Sequence, residues 1–133
     1  MTVGPEEITK LLKMDGFLKN FTIEVKEASN GRFVIEMPLE EKVMRIGGIM
    51  NGGAIMALCD LVGGLSILTK DDVINQVTIN IDVNFLRPIA KGPVKAVGES
   101  VRIGKTIGYS EMVIYDGNGE ECAKGSGNWF LFR

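Results

Sequence analysis

The hydrophobic pattern of the chain changes twice between its two ends. Residues 5–14 start with Pro5 and two acids and space their apolar side chains as a helix packed on a surface does. Residues 21–28 alternate apolar and polar side chains, and a Ser-Asn-Gly turn then leads into a returning strand at residues 32–38. The first part of the chain is therefore predicted to be a helix followed by a β-hairpin.

Alternation returns in the second half of the chain. It is clearest in residues 73–85, where Val77, Ile79, Ile81, Val83 and Phe85 alternate with Thr78, Asn80, Asp82 and Asn84. Three further strand patterns follow, separated by prolines and glycine-containing turns, at residues 94–103, 109–115 and 121–132. Consecutive strands with short connections predict an antiparallel meander.

Residues 51–69, between these two parts, form a long apolar stretch. Their one charge is Asp60, and their apolar side chains leave no polar stripe. A helix here is therefore predicted to be buried on almost every side. Because a carboxylate buried without a partner costs several kcal/mol, Asp60 is predicted to be either paired or functional.

The start of this helix carries hydrogen-bond donors. Asn51 is a residue type that caps helices, and Gly52 and Gly53 follow it. The first N–H groups of a helix have no partner within the helix, and glycines let a ligand approach them closely. Such donors, together with a carboxylate, can polarise a carbonyl group and activate water.

Gly52 and Asp60 cannot both reach one carbonyl group within a single chain. Eight residues separate them, which is roughly 12 Å along a helix. Two copies of the helix, antiparallel across a two-fold axis, would bring Gly52 of one copy near Asp60 of the other. The spacing therefore predicts a homodimer with two sites, each shared between the subunits.

The element order predicts one α+β domain over residues 1–133. A helix and a hairpin, then a long helix and a meander, fit a curved antiparallel sheet wrapped around one long central helix. Residues 39–50 are predicted to be a connecting loop that covers the mouth of the site.

Composition narrows the chemistry further. The chain has no histidine, which excludes Ser-His-Asp and Cys-His catalysis, and no metal site is expected. A net charge of −2 argues against nucleic-acid and anionic-membrane partners. Residues 46–68 are long enough to cross a membrane, but Asn51 and Asp60 within them argue against it. Two cysteines and a polar N-terminus predict a cytoplasmic protein without disulfides.

Three sequence blocks resemble the hotdog-fold acyl-CoA thioesterases, specifically the PaaI-type (phenylacetate-degradation) branch of the hydroxybenzoyl-CoA thioesterase superfamily. The blocks are GGAIMALCD, FLRPIAKGPV and GKTIGYSEMVIYDGNGEECAKGSGNWF, in the family's order and spacing. The resemblance implies the hotdog fold, homodimers or homotetramers, and hydrolysis of an acyl- or aryl-acyl-CoA to the free acid and CoA. It implies no separate cofactor, since CoA is part of the substrate.

The resemblance also implies roles for single residues. Asp60 occupies the position of the family's general base or nucleophile. Gly52 occupies the position of the glycine whose backbone N–H polarises the thioester carbonyl. Thr78 matches a hydroxyl that orients the water. Asn51 replaces the usual histidine, and its amide can still donate a hydrogen bond. Arg45 replaces a common asparagine, and it can bind a phosphate or pair with Asp60.

Substrate-binding candidates lie around these residues. Arg87 and Lys91 belong to a locally basic segment that can meet the phosphates of CoA, Gly53 belongs to the helix start, and Met50 can line an acyl channel. Two alternatives stay open. One is a non-catalytic acyl-CoA-binding dimer, suggested by Asn51 and Arg45. The other is a hydratase or dehydratase, enzymes that share the fold but usually use a histidine.

Overall fold

The computed structural model describes residues 4–70 and 72–133. Within these ranges, two α-helices and eight strands follow one another. They are α1 (Pro5–Leu12), β1 (Glu24–Ser29), β2 (Arg32–Met37), β3 (Met44–Arg45), β4 (Ile49–Met50), α2 (Gly52–Leu68), β5 (Asn75–Phe85), β6 (Val94–Ile103), β7 (Ile107–Tyr115) and β8 (Glu121–Phe132).

Six of the strands form one sheet in the order β1-β2-β6-β7-β8-β5, and every neighbouring pair is antiparallel. Helix α2 packs across this sheet, chiefly on β6 and β7. The predicted α+β fold, with an antiparallel sheet around one long central helix, is confirmed. None of the helices within the described ranges has the length and apolar character needed to cross a membrane.

Close contact between α2 and the sheet depends on glycines at the crossing. A side chain at Gly98 on β6 would collide with the carbonyl group of Val62 on α2. On the helix, a Cβ at Gly63 would lie 2.5 Å from the ring of Trp129 and 2.9 Å from the sulfur of Met112. The backbones of helix and sheet therefore approach as closely as they do because these positions have no side chain.

The prediction that α2 is buried on almost every side is wrong for the single chain. Gly53 and Met56 are exposed, and Ala57 and Asp60 are half-buried. These positions share one side of a helix, and we call them the open stripe. The sequence shows no polar stripe because the open side carries mostly small and apolar residues.

The alternation in residues 73–85 is also interrupted in the structure. The pairing of β5 with β8 shifts between Thr78 and Asn80, so Ile79 forms a β-bulge. Before the bulge, Thr78 faces α2, and after it Ile81 and Val83 pack against the core. Val77 and Ile79 are about half exposed instead. The bulge therefore places a polar part of the strand against the helix.

Residues 39–50 are predicted to be a connecting loop, but they contain short regular elements. A short 3₁₀ turn, Glu41–Val43, leads into the two-residue strands β3 and β4, which pair as a small hairpin. The hairpin turns through Gly47 and Gly48, both at positive φ, and Ile46 at its tip is 94% exposed. Its base is fixed to the helix start, since the Asn51 N–H donates to the Val43 carbonyl.

Candidate active site

The bulge in β5 brings Thr78 to the Asp60 carboxylate. The Thr78 hydroxyl donates a hydrogen bond of 2.6 Å to Asp60 Oδ1. Without the extra residue at Ile79, the alternation of the strand would turn Thr78 away when Ile81 and Val83 face the core. The structure therefore holds a half-buried carboxylate in a fixed orientation on the open stripe, by a bond from the neighbouring strand.

Asp60 has no positive partner among the residues that the structure describes. Arg45, which the sequence suggests as a partner of Asp60, is exposed on the β3–β4 hairpin, and no ion pair joins the two. The arrangement in which Arg45 neutralises Asp60 within one chain is therefore absent from these ranges. The carboxylate is held by a neutral donor and keeps its remaining oxygen lone pairs available.

At the other end of the open stripe, Asn51 caps α2 with its side chain. Its Oδ1 accepts hydrogen bonds from the N–H groups of Gly53 at 2.7 Å and Ala54 at 3.4 Å. Its backbone carbonyl accepts the Ile55 N–H. Within the described residues, this leaves the Gly52 N–H as the first-turn donor without a partner.

The cap changes what Asn51 and Gly53 can contribute. The Asn51 side-chain oxygen accepts the Gly53 N–H, so this N–H is not free to donate to a substrate carbonyl. Gly53 instead leaves the helix start open because it has no side chain. A Cβ at Gly52 would lie 3.7 Å from the Phe85 ring, an ordinary contact, so this donor stands beside the end of β5.

Arg87 and Lys91 lie on the loop after β5, near the start of α2. The Arg87 guanidinium donates to the Glu121 carbonyl at 2.9 Å, and Lys91 Nζ donates to Asn118 Oδ1 at 3.1 Å. The same loop is tied to the helix start, because the Met50 N–H donates to the Ile89 carbonyl at 2.9 Å. The two cations therefore stand at the Gly52 end of the helix and not at the Asp60 end.

Met50 is buried in the core, only 3% exposed, so it offers no open surface to an acyl chain in the single subunit. Cys59, beside Asp60 in sequence, is fully buried, since it points about 100° away from Asp60 around the helix. Burial, and then the charge of Asp60, raise the pKa of the Cys59 thiol to about 12, so it is no thiolate nucleophile at neutral pH.

A pocket of about 360 Å³ opens beside Asp60. Asp60, Asp15 and Gln76 are its polar members. The rest of its lining is apolar and comes from α1, the turn after it and α2: Leu12, Phe17, Leu18, Ala57, Leu61 and Leu65. We call this the Asp60 pocket.

Sequence reasoning missed the contribution of the turn after α1. Residues 15–20 show no helical or strand period, and a turn reveals nothing about what it packs against. The available signal was a pair of adjacent apolar residues, Phe17 and Leu18, in an otherwise polar turn. For metals, the described residues contain no group of three or more Cys, Asp or Glu side chains placed to hold an ion.

Comparison with known proteins agrees with this architecture. Residues 47–123 match the sequence model of the family described as the Thioesterase superfamily. A protein of Thermoplasma acidophilum named "Putative esterase" is 48% identical over 96% of this chain and 97% of its own length. A namesake from Saccharolobus solfataricus is 39% identical over 96% of this chain and 90% of its own.

Solved structures show the same fold at lower sequence identity. A thioesterase from Haemophilus influenzae superposes with a TM-score of 0.90 at 22% identity, covering 100% of this chain and 93% of its own. The PaaI protein from the phenylacetic acid degradation operon of E. coli reaches 0.84 at 18% identity, covering 96% and 92%. A Streptococcus mutans protein, solved with bound acetyl-CoA, reaches 0.75 at 21% identity, covering 83% and 88%.

Proposed function

The chain belongs to the thioesterase superfamily, and from this premise we propose that it hydrolyses the thioester of an acyl- or aryl-acyl-CoA to the free acid and CoA. Family membership supports hydrolysis of a thioester in general. The observation that carries the proposal is the Asp60 carboxylate, which is held by Thr78, borders an apolar pocket and lies on the open stripe of a helix whose Gly52 N–H is free.

In the proposed reaction, Asp60 acts as the general base. It takes a proton from a water molecule, whose oxygen attacks the thioester carbonyl carbon. The Gly52 N–H of the partner copy holds the negative oxygen of the tetrahedral intermediate. Collapse of the intermediate breaks the carbon–sulfur bond, and the proton passes from Asp60 to the departing CoA thiolate. The alternative route, in which Asp60 itself attacks and forms an anhydride, uses the same groups.

Thr78 is assigned the role of holding both the carboxylate and the water. Its hydroxyl hydrogen is used in the bond to Asp60, so its oxygen lone pairs point elsewhere and can accept a hydrogen bond from the water. The water would then lie between two oxygen atoms whose relative position is fixed by the bulge in β5.

The proposed site needs two copies of the chain, as a homodimer or within a homotetramer. Strand β5 ends the sheet, so one of its edges has no neighbour among the described strands. Val77, Ile79 and Phe85 on this strand are each about half exposed, and the open stripe of α2 lies beside it. Pairing two copies through this edge would cover both and bring the two helices together about a two-fold axis.

CoA would enter from the Gly52 end of the helix. Arg87 and Lys91 stand at that end, and Arg45 is exposed on the hairpin that leads into the helix. Their positive charges suit the phosphates of CoA. The acetyl-CoA bound to the Streptococcus mutans neighbour supports this choice of substrate. The cytoplasm remains the proposed location, consistent with two buried free thiols.

A thiol-release assay with a panel of acyl-CoAs tests the proposal. Asp60→Ala and Asp60→Asn should each lower kcat/KM by a factor on the order of 10² or more, since the general base is lost. Asp82→Asn is the matched control, because Asp82 is an exposed aspartate on the same strand as Thr78. Wild-type turnover in both Asp60 variants would overturn the mechanism.

The second candidate is a dimer that binds acyl-CoA without cleaving it. It is favoured by the commitment of the Asn51 side chain to the helix cap, which leaves the Gly52 N–H as the one free first-turn donor within the described residues. This candidate predicts saturable binding of acyl-CoA with no release of thiol. Release that depends on Asp60 would exclude it.

A further inference from the structure

We propose that the Asp60 pocket holds the acyl group and that the turn after α1 limits its size, so that the substrates are short- or medium-chain or single-ring acyl-CoAs. We define this turn as residues 15–21. The inference rests on the proposed function, because Asp60 marks the place of the thioester carbonyl. It adds the class of acyl group and the residues that select it.

The position of the pocket fits an acyl group attached to a carbonyl near Asp60. Asp60 is part of the lining, and its neighbours on α2 within the pocket are apolar: Ala57, Leu61 and Leu65. An acyl group whose carbonyl carbon is attacked beside Asp60 can therefore continue directly onto apolar surface. The opposite wall comes from Leu12 at the end of α1 and from Phe17 and Leu18 in the turn.

The turn is held rigidly enough to act as a wall. The Asp15 carboxylate accepts hydrogen bonds of 2.9 Å from the N–H groups of Phe17 and Leu18. The bond from Leu18, and then that from Phe17, keep the pKa of Asp15 below its usual value. The Phe17 ring also contacts the Phe21 ring, with 5.4 Å between the centroids. These contacts fix the position of Phe17 and Leu18 at the pocket.

A third wall of the pocket, formed by Gln76, is also closely packed. Gln76 on β5 lines the pocket and packs on α2. A Cβ added at Gly64 would lie 2.6 Å from Gln76 Nε2 and 2.9 Å from Trp129 Nε1. There is therefore no room for even a methyl group between Gln76, the helix and the buried indole.

The volume of the pocket sets the size of the acyl group. About 360 Å³ lies at the small end of the range for ligand pockets, roughly 300–1,000 Å³. We therefore expect it to suit an octanoyl or phenylacetyl group, whereas the end of a palmitoyl chain would extend beyond it.

Two variants change the pocket in opposite directions. Leu18→Trp fills it and should lower kcat/KM for octanoyl- and phenylacetyl-CoA at least tenfold while acetyl-CoA changes less than threefold. Phe17→Ala opens the wall of the pocket. It should raise kcat/KM for palmitoyl-CoA relative to octanoyl-CoA by about fourfold or more, which is the effect expected when about one more methylene group of the chain is buried. Leu11→Ala, an exposed leucine on α1 outside the pocket, is the matched control.

Binding of non-hydrolysable thioether analogues of the same acyl-CoAs provides a second readout. If the wild type releases thiol but the substrate profile is the same in all three variants, the pocket assignment is wrong and the hydrolase proposal stands. If no thioester is cleaved, the proposed function fails, and the analogue affinities still decide the pocket by the same pattern. If Leu18→Trp lowers the thermal midpoint, Phe17→Ala at its exposed position decides the question alone.

Discussion

The two sides of helix α2 differ in how tightly they are packed. On the closed side, Gly63 contacts Trp129 and Val62 contacts Gly98, with no space for an added side chain. On the open stripe, Met56 is partly exposed and Asp60 borders a pocket. The tight packing of one side fixes the position of the helix, so the other side can carry a carboxylate and a free N–H without adding to the hydrophobic core.

This difference explains how neighbouring residues on one helix have opposite chemistry. Cys59 and Asp60 are adjacent in sequence, yet Cys59 is fully buried and Asp60 contacts a strand hydroxyl at the edge of the site. Function is therefore concentrated in the stripe that a single chain leaves uncovered.

The largest effect is expected at the free Gly52 N–H at the start of α2. Gly52→Pro replaces this donor by a ring carbon and should leave the helix intact, because proline is tolerated at the first position of a helix and Asn51 before it already has the extended conformation that proline requires. We expect kcat to fall by about 10²–10³ with thermal stability nearly unchanged. Gly52→Ala keeps the N–H and makes only an ordinary contact with Phe85, so it should retain most activity.

On the closed side, Gly98→Ala should destabilise the whole fold. Its Cβ would collide with the backbone carbonyl of Val62, and neither strand nor helix can move without disturbing the core. We expect a loss of about 3 kcal/mol or more in the free energy of unfolding, measured with urea. Gly16→Ala, where an added Cβ meets nothing within 4 Å, should stay within about 0.5 kcal/mol of wild type. Equal stability of both variants would contradict the tight crossing.

A smaller effect is expected at Thr78. Thr78→Val removes the hydroxyl but keeps the shape of the side chain, so the Asp60 carboxylate loses its donor and the water loses one contact. We expect kcat to fall about tenfold, in line with the net value of a hydrogen bond to a charged group. Thr78→Ser, which keeps the hydroxyl, should recover most of the rate, whereas equal rates in Val and Ser variants would remove Thr78 from the mechanism.

The smallest effect concerns the thiol on the closed side. Because burial and the Asp60 charge raise the pKa of Cys59 to about 12, its thiolate is absent at pH 7 and forms only as the pH approaches that value. We expect no reaction of Cys59 with a disulfide reagent between pH 7 and 9 in the folded protein, at unchanged enzyme activity. Rapid labelling of Cys59 under these conditions would show that the closed side opens.

The spacing of hydrophobic residues along the chain was enough to predict most of the fold. The helix predicted at residues 51–69 and found as Gly52–Leu68 is long and strongly apolar, and the strands of the meander follow clear alternation. The bulge at Ile79 was not predictable, because the alternation continues across it and only the pairing with β8 reveals the extra residue. The open stripe was missed for a related reason, since small and apolar residues do not show whether their own chain covers them.

The candidate site was predictable in part. A lone acid on an apolar helix drew attention to Asp60, and the structure brings Thr78 to it. Arg87 and Lys91 were predicted as cations near a phosphate, and the structure places them at the Gly52 end. The turn at residues 15–21 was not predictable as part of a pocket, because its position depends on contacts between distant parts of the chain.

The central claim, a site shared between two copies, is tested most directly by mixing two inactive variants. Asp60→Asn and Gly52→Pro are each purified, unfolded together and refolded. A hybrid dimer then contains one site with both defects and one intact site, so the mixture should recover about a quarter of wild-type thiol release. The same treatment of each variant alone should recover none. Activity in the mixture no greater than the average of the two variants would contradict the shared site.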